Sequence, residues 1–227
     1  MTRPVFRVAG VVFDLDGVLI DSESANVESA RQALAAFGVR MEPMAVECIV
    51  GRHPRDYLPE LIESHGLTAV APARLAAVQE QTWRRLAGRV PVMPGATRVV
   101  RHLAEAGFEL AVATSSGADT ARAALEALDL AAHFEVLLTL DDVRHAKPDP
   151  EIYRLAAERL ALPSDRLAAI EDSPHGIAAA RGAGLHCIAL AGAWTPVECL
   201  AGADAVIDHL EQLPALLDAP ALEEDAR

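Results

Sequence analysis

Lysine is almost absent from this chain of 227 residues. Of its 20 basic side chains only Lys147 is a lysine, and 33 acidic side chains leave a formal net charge of −13. A chain this acidic is a poor ligand for the phosphate backbone of nucleic acids and for anionic membrane surfaces. We therefore expect neither nucleic acid nor membrane as a partner.

Cysteines, long apolar runs and a leader pattern are also scarce. The three cysteines are widely spaced and match no zinc-binding spacing. No uncharged apolar stretch approaches the roughly 18 residues of a membrane span, and the N-terminus lacks the signal-peptide pattern. These absences favour a protein of the reducing cytoplasm with structural thiols.

The chain does have a regular alternation of strand and helix patterns from residue 94 onward. Parallel strands that alternate with helices of roughly 10 to 15 residues are typical of a sheet covered on both faces. We therefore predict an α/β fold with a Rossmann-like parallel sheet. The predicted strands are 8–14, 109–113, 135–140, 167–170, 186–190 and 205–207.

A helical block interrupts this pattern after the first strand. Residues 24–37, 54–65 and 72–86 read as amphipathic helices, with few strand-like runs between them. The predicted organisation is an α/β core of residues 1–21 and 93–227, with an inserted all-helical domain of residues 22–92.

Two aspartates one residue apart follow the first predicted strand. Asp14 and Asp16 end the apolar run 11–13, and Gly17 allows the backbone to turn. Residues i and i+2 of an extended segment point to the same side, so both carboxylates face one small site. Neighbouring carboxylates repel unless a cation or a proton joins them. A solvated Asp-x-Asp-Gly turn is the alternative.

Polar side chains also follow three later strands. Thr114 and Ser115 precede a helix N-terminus and suit a phosphate oxygen, although helix capping would explain one hydroxyl. An isolated lysine is usually a surface residue, but the compact ammonium of Lys147 also suits a phosphate contact. Glu171 and Asp172 form a second acidic pair, of which an N-cap would explain one member.

These groups are expected to meet, because sites in open parallel sheets form at the carboxyl ends of the strands. Carboxylate oxygens are suitable ligands for Mg²⁺, and an ammonium and hydroxyls are suitable donors to phosphoryl oxygens. The four strand ends together therefore predict a site for Mg²⁺ and a phosphoryl group.

The motifs resemble those of the haloacid dehalogenase-like hydrolases. The similarity is to the branch with a helical cap after the first strand, which includes phosphoglycolate phosphatases and β-phosphoglucomutases. Residues 12–23 resemble the first motif nearly residue for residue, and Thr114 fits the second. Residues 147–150 fit the third motif, and 171–173 with Gly176 fit the fourth. The resemblance covers essentially the whole chain, and four motifs in order make it specific.

The resemblance implies a mechanism with a covalent step. Asp14 would attack phosphorus and become an aspartyl-phosphate. Asp16 would act as general acid to the leaving group and then as general base to water. The phosphate-binding residues that the resemblance implies are Thr114, Ser115 and Lys147.

The resemblance also implies a metal and a region of substrate recognition. The expected cofactor is Mg²⁺, and its implied ligands are Asp14, Asp16 (through the backbone carbonyl), Asp172 and Glu171, the last directly or through a water. The implied substrate-recognition residues are Glu23, Arg52, His53 and Arg55. A solvated helix start with dispersed charge is the alternative for the three basic ones.

Individual residues discriminate among the chemistries of the family. Dehalogenases lack the second aspartate, so Asp16 argues against carbon–halogen cleavage, and a lysine-free cap argues against phosphonatase activity. Asn26 stands where β-phosphoglucomutases have a histidine. The favoured function is a phosphatase for a small sugar, polyol or hydroxy-acid phosphate, as a monomer or small homo-oligomer. The alternatives are a β-phosphoglucomutase-like isomerase and, more remotely, a phospho-accepting regulatory protein.

Overall fold

The computed structural model divides the chain into two compact units. It describes residues 5–43, 45–49, 54–87, 90–192, 195 and 197–222, with the backbone alone for 47, 48, 55, 56, 84 and 87. One unit comprises the described residues up to Ile20 and from Val92 onward, and the other runs from Asp21 to Pro91. Within these described ranges, no helix is both long and apolar enough to cross a membrane.

The first unit is built on a six-stranded parallel sheet with the strand order β3-β2-β1-β4-β5-β6. The strands are β1 (Gly10–Phe13), β2 (Glu109–Ala113), β3 (Val136–Leu138), β4 (Leu167–Glu171), β5 (His186–Leu190) and β6 (Ala205–Ile207). The helices of the chain are α1 (Ser22–Ala36), α2 (Ala45–Ile49), α3 (Pro54–Ser64), α4 (Pro72–Ala87), α5 (Ala96–Glu105), α6 (Ala118–Ala127), α7 (Glu151–Arg159), α8 (Pro174–Gly182) and α9 (Leu213–Leu216). The predicted α/β fold class is confirmed.

The central strands are buried on both faces, which is why their sequences are almost uniformly apolar. Val12 packs on one face in a cluster with Ile152 of α7 and Ile177 of α8. Its neighbour Phe13 meets the ring of Phe134 edge-on at 6.1 Å between centroids. Strand β1 is shorter at both ends than the predicted 8–14, although the amide of Asp14 still donates to a carbonyl of β4.

The order of the strands creates a topological switch point next to β1, where the side of the sheet to which successive strands are added changes. From β1 the chain passes to β2 on one side, and from β3 it crosses to β4 on the other side of β1. In the parallel register Phe13 lies opposite both Val112 and Ile170. The residues that follow β1, β2 and β4 are therefore side by side at the switch point, where ligands bind in folds of this type.

The second unit contains the first four helices, α1 to α4. Its core is an apolar cluster that includes Leu34, Tyr57, Leu61 and Leu75. The Oδ1 atom of Asp21 accepts the amide of Ser24 at 3.1 Å and caps the start of α1. The sequence predicted three helices here and missed α2, because five residues are too few to show a helical period.

Candidate active site

Asp14 is the buried centre of a group of side chains at the carboxyl ends of the strands. The residue is 7% exposed, and its amide donates to the carbonyl of Ile170 at 2.9 Å. Beyond it the chain doubles back, since the amides of Leu19 and Ile20 both donate to the carbonyl of Leu15. This tight loop keeps Asp16 beside Asp14 instead of carrying it away from the sheet.

Lys147, the only lysine of the chain, also belongs to this group. Its Nζ lies 3.1 Å from Asp14 Oδ1 and donates to Glu171 Oε1 at 2.6 Å and to the carbonyl of Ala113 at 2.9 Å. Its side chain is 5% exposed. Burial alone would lower the pKa of this ammonium, but the carboxylates of Asp14 and Glu171 outweigh burial and raise it. Lys147 is therefore a permanent positive charge at Asp14.

Two hydroxyls orient Asp16. Thr114 Oγ1 donates to Asp16 Oδ2 at 3.2 Å, and Ser116 Oγ donates to the same oxygen at 2.7 Å. Thr114 is fully buried and its hydroxyl also accepts the amide of Ser116. The side chain of Ser115 is exposed, and its contact with phosphate stays a prediction. The sequence did not single out Ser116, the third hydroxyl of the Thr-Ser-Ser run, which donates to Asp16.

Glu171 is surrounded by hydrogen-bond donors. Its Oε1 accepts from Lys147 Nζ and, at 2.7 Å, from the hydroxyl of Tyr153. Its Oε2 accepts from the amide of Asp172 and from the amide and hydroxyl of Ser173. A carboxylate with both oxygens occupied in this way is better suited to holding Lys147 than to direct metal ligation.

Three carboxylates nevertheless converge in a way that fits a divalent cation. One oxygen each of Asp14, Glu171 and Asp172 lies within 4.8 Å of the others. Asp14 Oδ1 is buried and accepts no hydrogen bond from the described residues, despite its closeness to Lys147. A buried carboxylate oxygen without a hydrogen-bond donor, with two further carboxylates close by, is a suitable set of ligands for a hard cation such as Mg²⁺.

The raised pKa values of the acidic residues also favour a bound cation. Burial, reinforced by the carboxylates of Glu171 and Asp16, raises the pKa of Asp14 to about 7 although Lys147 lowers it. Burial, followed by the charges of Asp14 and Glu171, also raises the pKa of Asp172 well above its ordinary value. One lysine is therefore insufficient to neutralise these groups, and a further cation would favour their ionised forms.

Gly17 makes room for Asp172. It has a φ of +76°, and a Cβ built there would lie 1.9 Å from Asp172 Oδ2. Both the left-handed conformation and the close approach require glycine at this position.

We expect Gly17→Ala to reduce catalytic turnover about 100-fold by displacing Asp172, since small misplacements of active-site groups have effects of this size. It should also lower the free energy of unfolding by about 1–2 kcal/mol through the backbone strain. Gly107→Ala is the matched control, because Gly107 has a φ of +85° and nothing within 4 Å of the added Cβ. Steady-state kinetics and thermal unfolding of both variants test this. Equal losses of turnover in the two would contradict it.

The loop that carries Lys147 is held by a second acidic group. Glu151 accepts the amides of Arg144 and His145 through its two oxygens, and His145 Nδ1 lies 3.1 Å from Glu151 Oε2. Asp149 Oδ1 accepts the amide of Glu151 at 3.0 Å. These contacts tie the loop to the start of α7 and so fix the approach of Lys147.

The predicted substrate-recognition residues are described only in part. Glu23 lies on α1 and is half-buried, whereas Arg52, His53 and the side chain of Arg55 lie outside the described residues. Asn26 lies one turn further along α1, and its Oδ1 accepts from the hydroxyl of Tyr57 at 3.0 Å and from Gln79 Nε2 at 3.2 Å. Recognition by this unit therefore stays a prediction.

Comparisons with known proteins agree with one another. Residues 11–190 match the family model described as haloacid dehalogenase-like hydrolase. The CbbY protein of Cereibacter sphaeroides is 31% identical over 222 residues, covering 92% of this chain and 95% of that protein. The phosphorylated carbohydrates phosphatase of Thermotoga maritima is 33% identical, covering 78% and 82%. The crystal structure of a putative beta-phosphoglucomutase from Thermotoga maritima superposes with a TM-score of 0.83 at 29% identity, covering 93% and 99%.

Proposed function

The chain belongs to the haloacid dehalogenase-like hydrolases, and on that premise we propose that it is a Mg²⁺-dependent phosphatase for a small phosphomonoester. The observation that carries the proposal is the buried Asp14 with Lys147 Nζ 3.1 Å from one of its oxygens and Asp16 held beside it by Thr114 and Ser116. This arrangement combines a nucleophile, a fixed positive charge for phosphoryl oxygens and a second carboxyl for proton transfer.

In the first step, a carboxylate oxygen of Asp14 attacks phosphorus and the bond to the alcohol oxygen breaks. Lys147 and the hydroxyl of Thr114 hold the phosphoryl oxygens, on which charge is spread in the transition state. Asp16 gives its proton to the departing alkoxide, so the alcohol leaves neutral. The product of this step is an aspartyl-phosphate at Asp14.

In the second step, Asp16 takes a proton from water, which attacks the phosphorus of the aspartyl-phosphate. The bond between phosphorus and the Asp14 oxygen breaks, and inorganic phosphate leaves with Asp14 restored as a carboxylate. Ser116 holds Asp16 through one oxygen during both steps, which leaves its other oxygen for the proton and frees the Thr114 hydroxyl for the phosphoryl group.

The metal would be held by Asp14, Asp172 and the backbone carbonyl of Asp16. Bound there, Mg²⁺ supplies positive charge to the transferring phosphoryl group. Glu171 acts mainly on Lys147, because donors already occupy both its oxygens.

A phosphorylated sugar, polyol or hydroxy acid is the proposed substrate class. The support comes from the relatives, which include the phosphorylated carbohydrates phosphatase of Thermotoga maritima. The experiment is release of inorganic phosphate from a panel of such esters in Mg²⁺, with Asp14→Asn as blank. We expect release from at least one sugar or polyol phosphate. No release from any member, or conversion of glucose 1-phosphate to glucose 6-phosphate without free phosphate, would overturn the proposal.

Removal of metal should abolish phosphate release. EDTA is expected to stop turnover and added Mg²⁺ to restore it, because Lys147 alone cannot balance the three converging carboxylates. The apo protein should also gain thermal stability on adding Mg²⁺, by about 2.7 kcal/mol at 100 times the dissociation constant. Asp172→Asn should lose most of that gain. Full activity in EDTA, or an equal Mg²⁺ stabilisation of Asp172→Asn, would be incompatible with this metal site.

A further inference from the structure

Tyr153 lies outside every motif that the sequence revealed, yet it contacts the charged centre of the site. It is fully buried on α7, six residues after Lys147. Its hydroxyl donates to Glu171 Oε1 at 2.7 Å and accepts from Lys147 Nζ at 3.3 Å. The ammonium also lies 5.0 Å from the centroid of its ring. In sequence it reads as one more apolar position of a core helix.

The ammonium of Lys147 has more acceptors than protons. Its oxygen neighbours are the carbonyl of Ala113, Glu171 Oε1, the hydroxyl of Tyr153 and Asp14 Oδ1. Three N–H bonds cannot point at all of them at once, so the strongest acceptor decides where the charge faces. The Tyr153 hydroxyl is neutral and the most distant of the four oxygens, at 3.3 Å. The competition that matters is therefore between Glu171 and Asp14, the residue that receives the phosphoryl group in the proposed reaction.

Glu171 itself has little freedom to move. Its Oε2 is held by the amide of Asp172 and by Ser173, and a Cβ at Gly176 would lie 1.8 Å from its carboxyl carbon. Its Oε1 accepts a hydrogen bond from the Tyr153 hydroxyl, which draws negative charge away from the oxygen that Lys147 also contacts. Without that hydrogen bond, Oε1 would attract the ammonium more strongly.

We propose that Tyr153 is a positioning residue whose hydroxyl, by sharing Glu171 Oε1, keeps the Lys147 ammonium available to Asp14 and to the phosphoryl oxygens of the substrate. The inference rests on the proposed phosphatase function. Tyr153 touches neither substrate nor metal in this account, and it acts through Glu171 and Lys147 alone.

The variant that tests this is Tyr153→Phe, which removes the hydroxyl but keeps the ring that packs on α7 and faces the ammonium. We expect kcat to fall about tenfold, the size expected when one hydrogen bond to a charged group is lost. KM should change little, because the position of the Lys147 ammonium affects the transition state more than it affects substrate binding. An unchanged kcat in Tyr153→Phe would overturn the proposal.

A double-mutant cycle with Glu171→Gln separates positioning from a general structural role. If Tyr153 acts through the Glu171 carboxylate, Tyr153→Phe should have almost no further effect in the Glu171→Gln background. Calorimetry of inorganic phosphate binding in Mg²⁺, which requires no turnover, should show little effect of Tyr153→Phe in either background. An equal effect of Tyr153→Phe on kcat in both backgrounds would overturn the proposal.

Tyr57→Phe is the matched control, since it also removes a buried phenol hydroxyl, one that is bonded to Asn26 Oδ1. Its effects should add to those of Glu171→Gln, because the Tyr57 hydroxyl bonds within its own unit, to Asn26 and Gln79. Coupling of Tyr57→Phe to Glu171→Gln as strong as that of Tyr153→Phe would count against the inference. Absence of phosphate release by the wild-type protein would instead refute the proposed function, so the two failures are distinguishable.

Discussion

Asp14→Asn is expected to reduce steady-state phosphate release about 10⁴-fold or more, the loss that follows removal of a covalent nucleophile. The amide oxygen is neutral and a poor nucleophile, so no acyl phosphate forms. The substitution also removes a predicted metal ligand. Initial rates with the best substrate of the panel, in saturating Mg²⁺, measure the effect.

The fold of Asp14→Asn should survive. Asparagine has nearly the same shape as aspartate. The substitution also removes one of three converging carboxylates, which repel one another in the folded state. We therefore expect a melting temperature no lower than that of the wild type. Asp165→Asn, at an exposed position of the same unit, is the control and should keep full activity. Substantial turnover by Asp14→Asn would show that another group attacks phosphorus.

Asp16→Asn should separate the two chemical steps. We expect hydrolysis of a sugar phosphate to fall about 10²- to 10⁴-fold, the usual contribution of general acid–base catalysis. An aryl ester such as p-nitrophenyl phosphate has a leaving group that needs no proton. It should therefore still phosphorylate Asp14 and release a burst of about one nitrophenolate per active site. Slow turnover should follow, because no base activates water.

Rapid-mixing absorbance at the nitrophenolate band measures the burst. Ser116→Ala serves as a graded comparison, because it removes the 2.7 Å hydrogen bond to Asp16 but leaves that carboxyl in place. It should slow both esters modestly and show no burst. Equal losses of Asp16→Asn on sugar and aryl esters, without a burst, would contradict the acid–base role.

The sequence predicted the positions of the site residues better than their contacts. Because strand ends meet at one edge of a parallel sheet, the carboxylates after β1 and β4 and the lysine before α7 could be brought together without coordinates. The turn that follows β2 is a different matter. Which of the two serines after Thr114 faces Asp16 depends on the backbone after residue 114, where strand alternation no longer applies, so Ser116 was missed.

Glu171 and Tyr153 illustrate a second limit. An acidic pair at a strand end predicts two metal ligands, but the partners of a buried carboxylate come from distant parts of the chain. The donors to Glu171 include Lys147 and Tyr153, 24 and 18 residues away. An aromatic residue on the buried face of an amphipathic helix also looks like any other core residue. Its polar end finds a partner only when the helix is placed on the sheet.

Chemical trapping of the intermediate tests the central claim most directly. The Asp16→Asn variant is mixed with p-nitrophenyl phosphate and Mg²⁺, quenched, reduced with borohydride and analysed by peptide mass spectrometry. Borohydride converts an acyl phosphate of aspartate to homoserine. The account predicts homoserine at position 14 in the presence of substrate, and none without substrate or when Asp14→Asn is also introduced. Homoserine at another aspartate, or a nitrophenolate burst with position 14 unmodified, would contradict it.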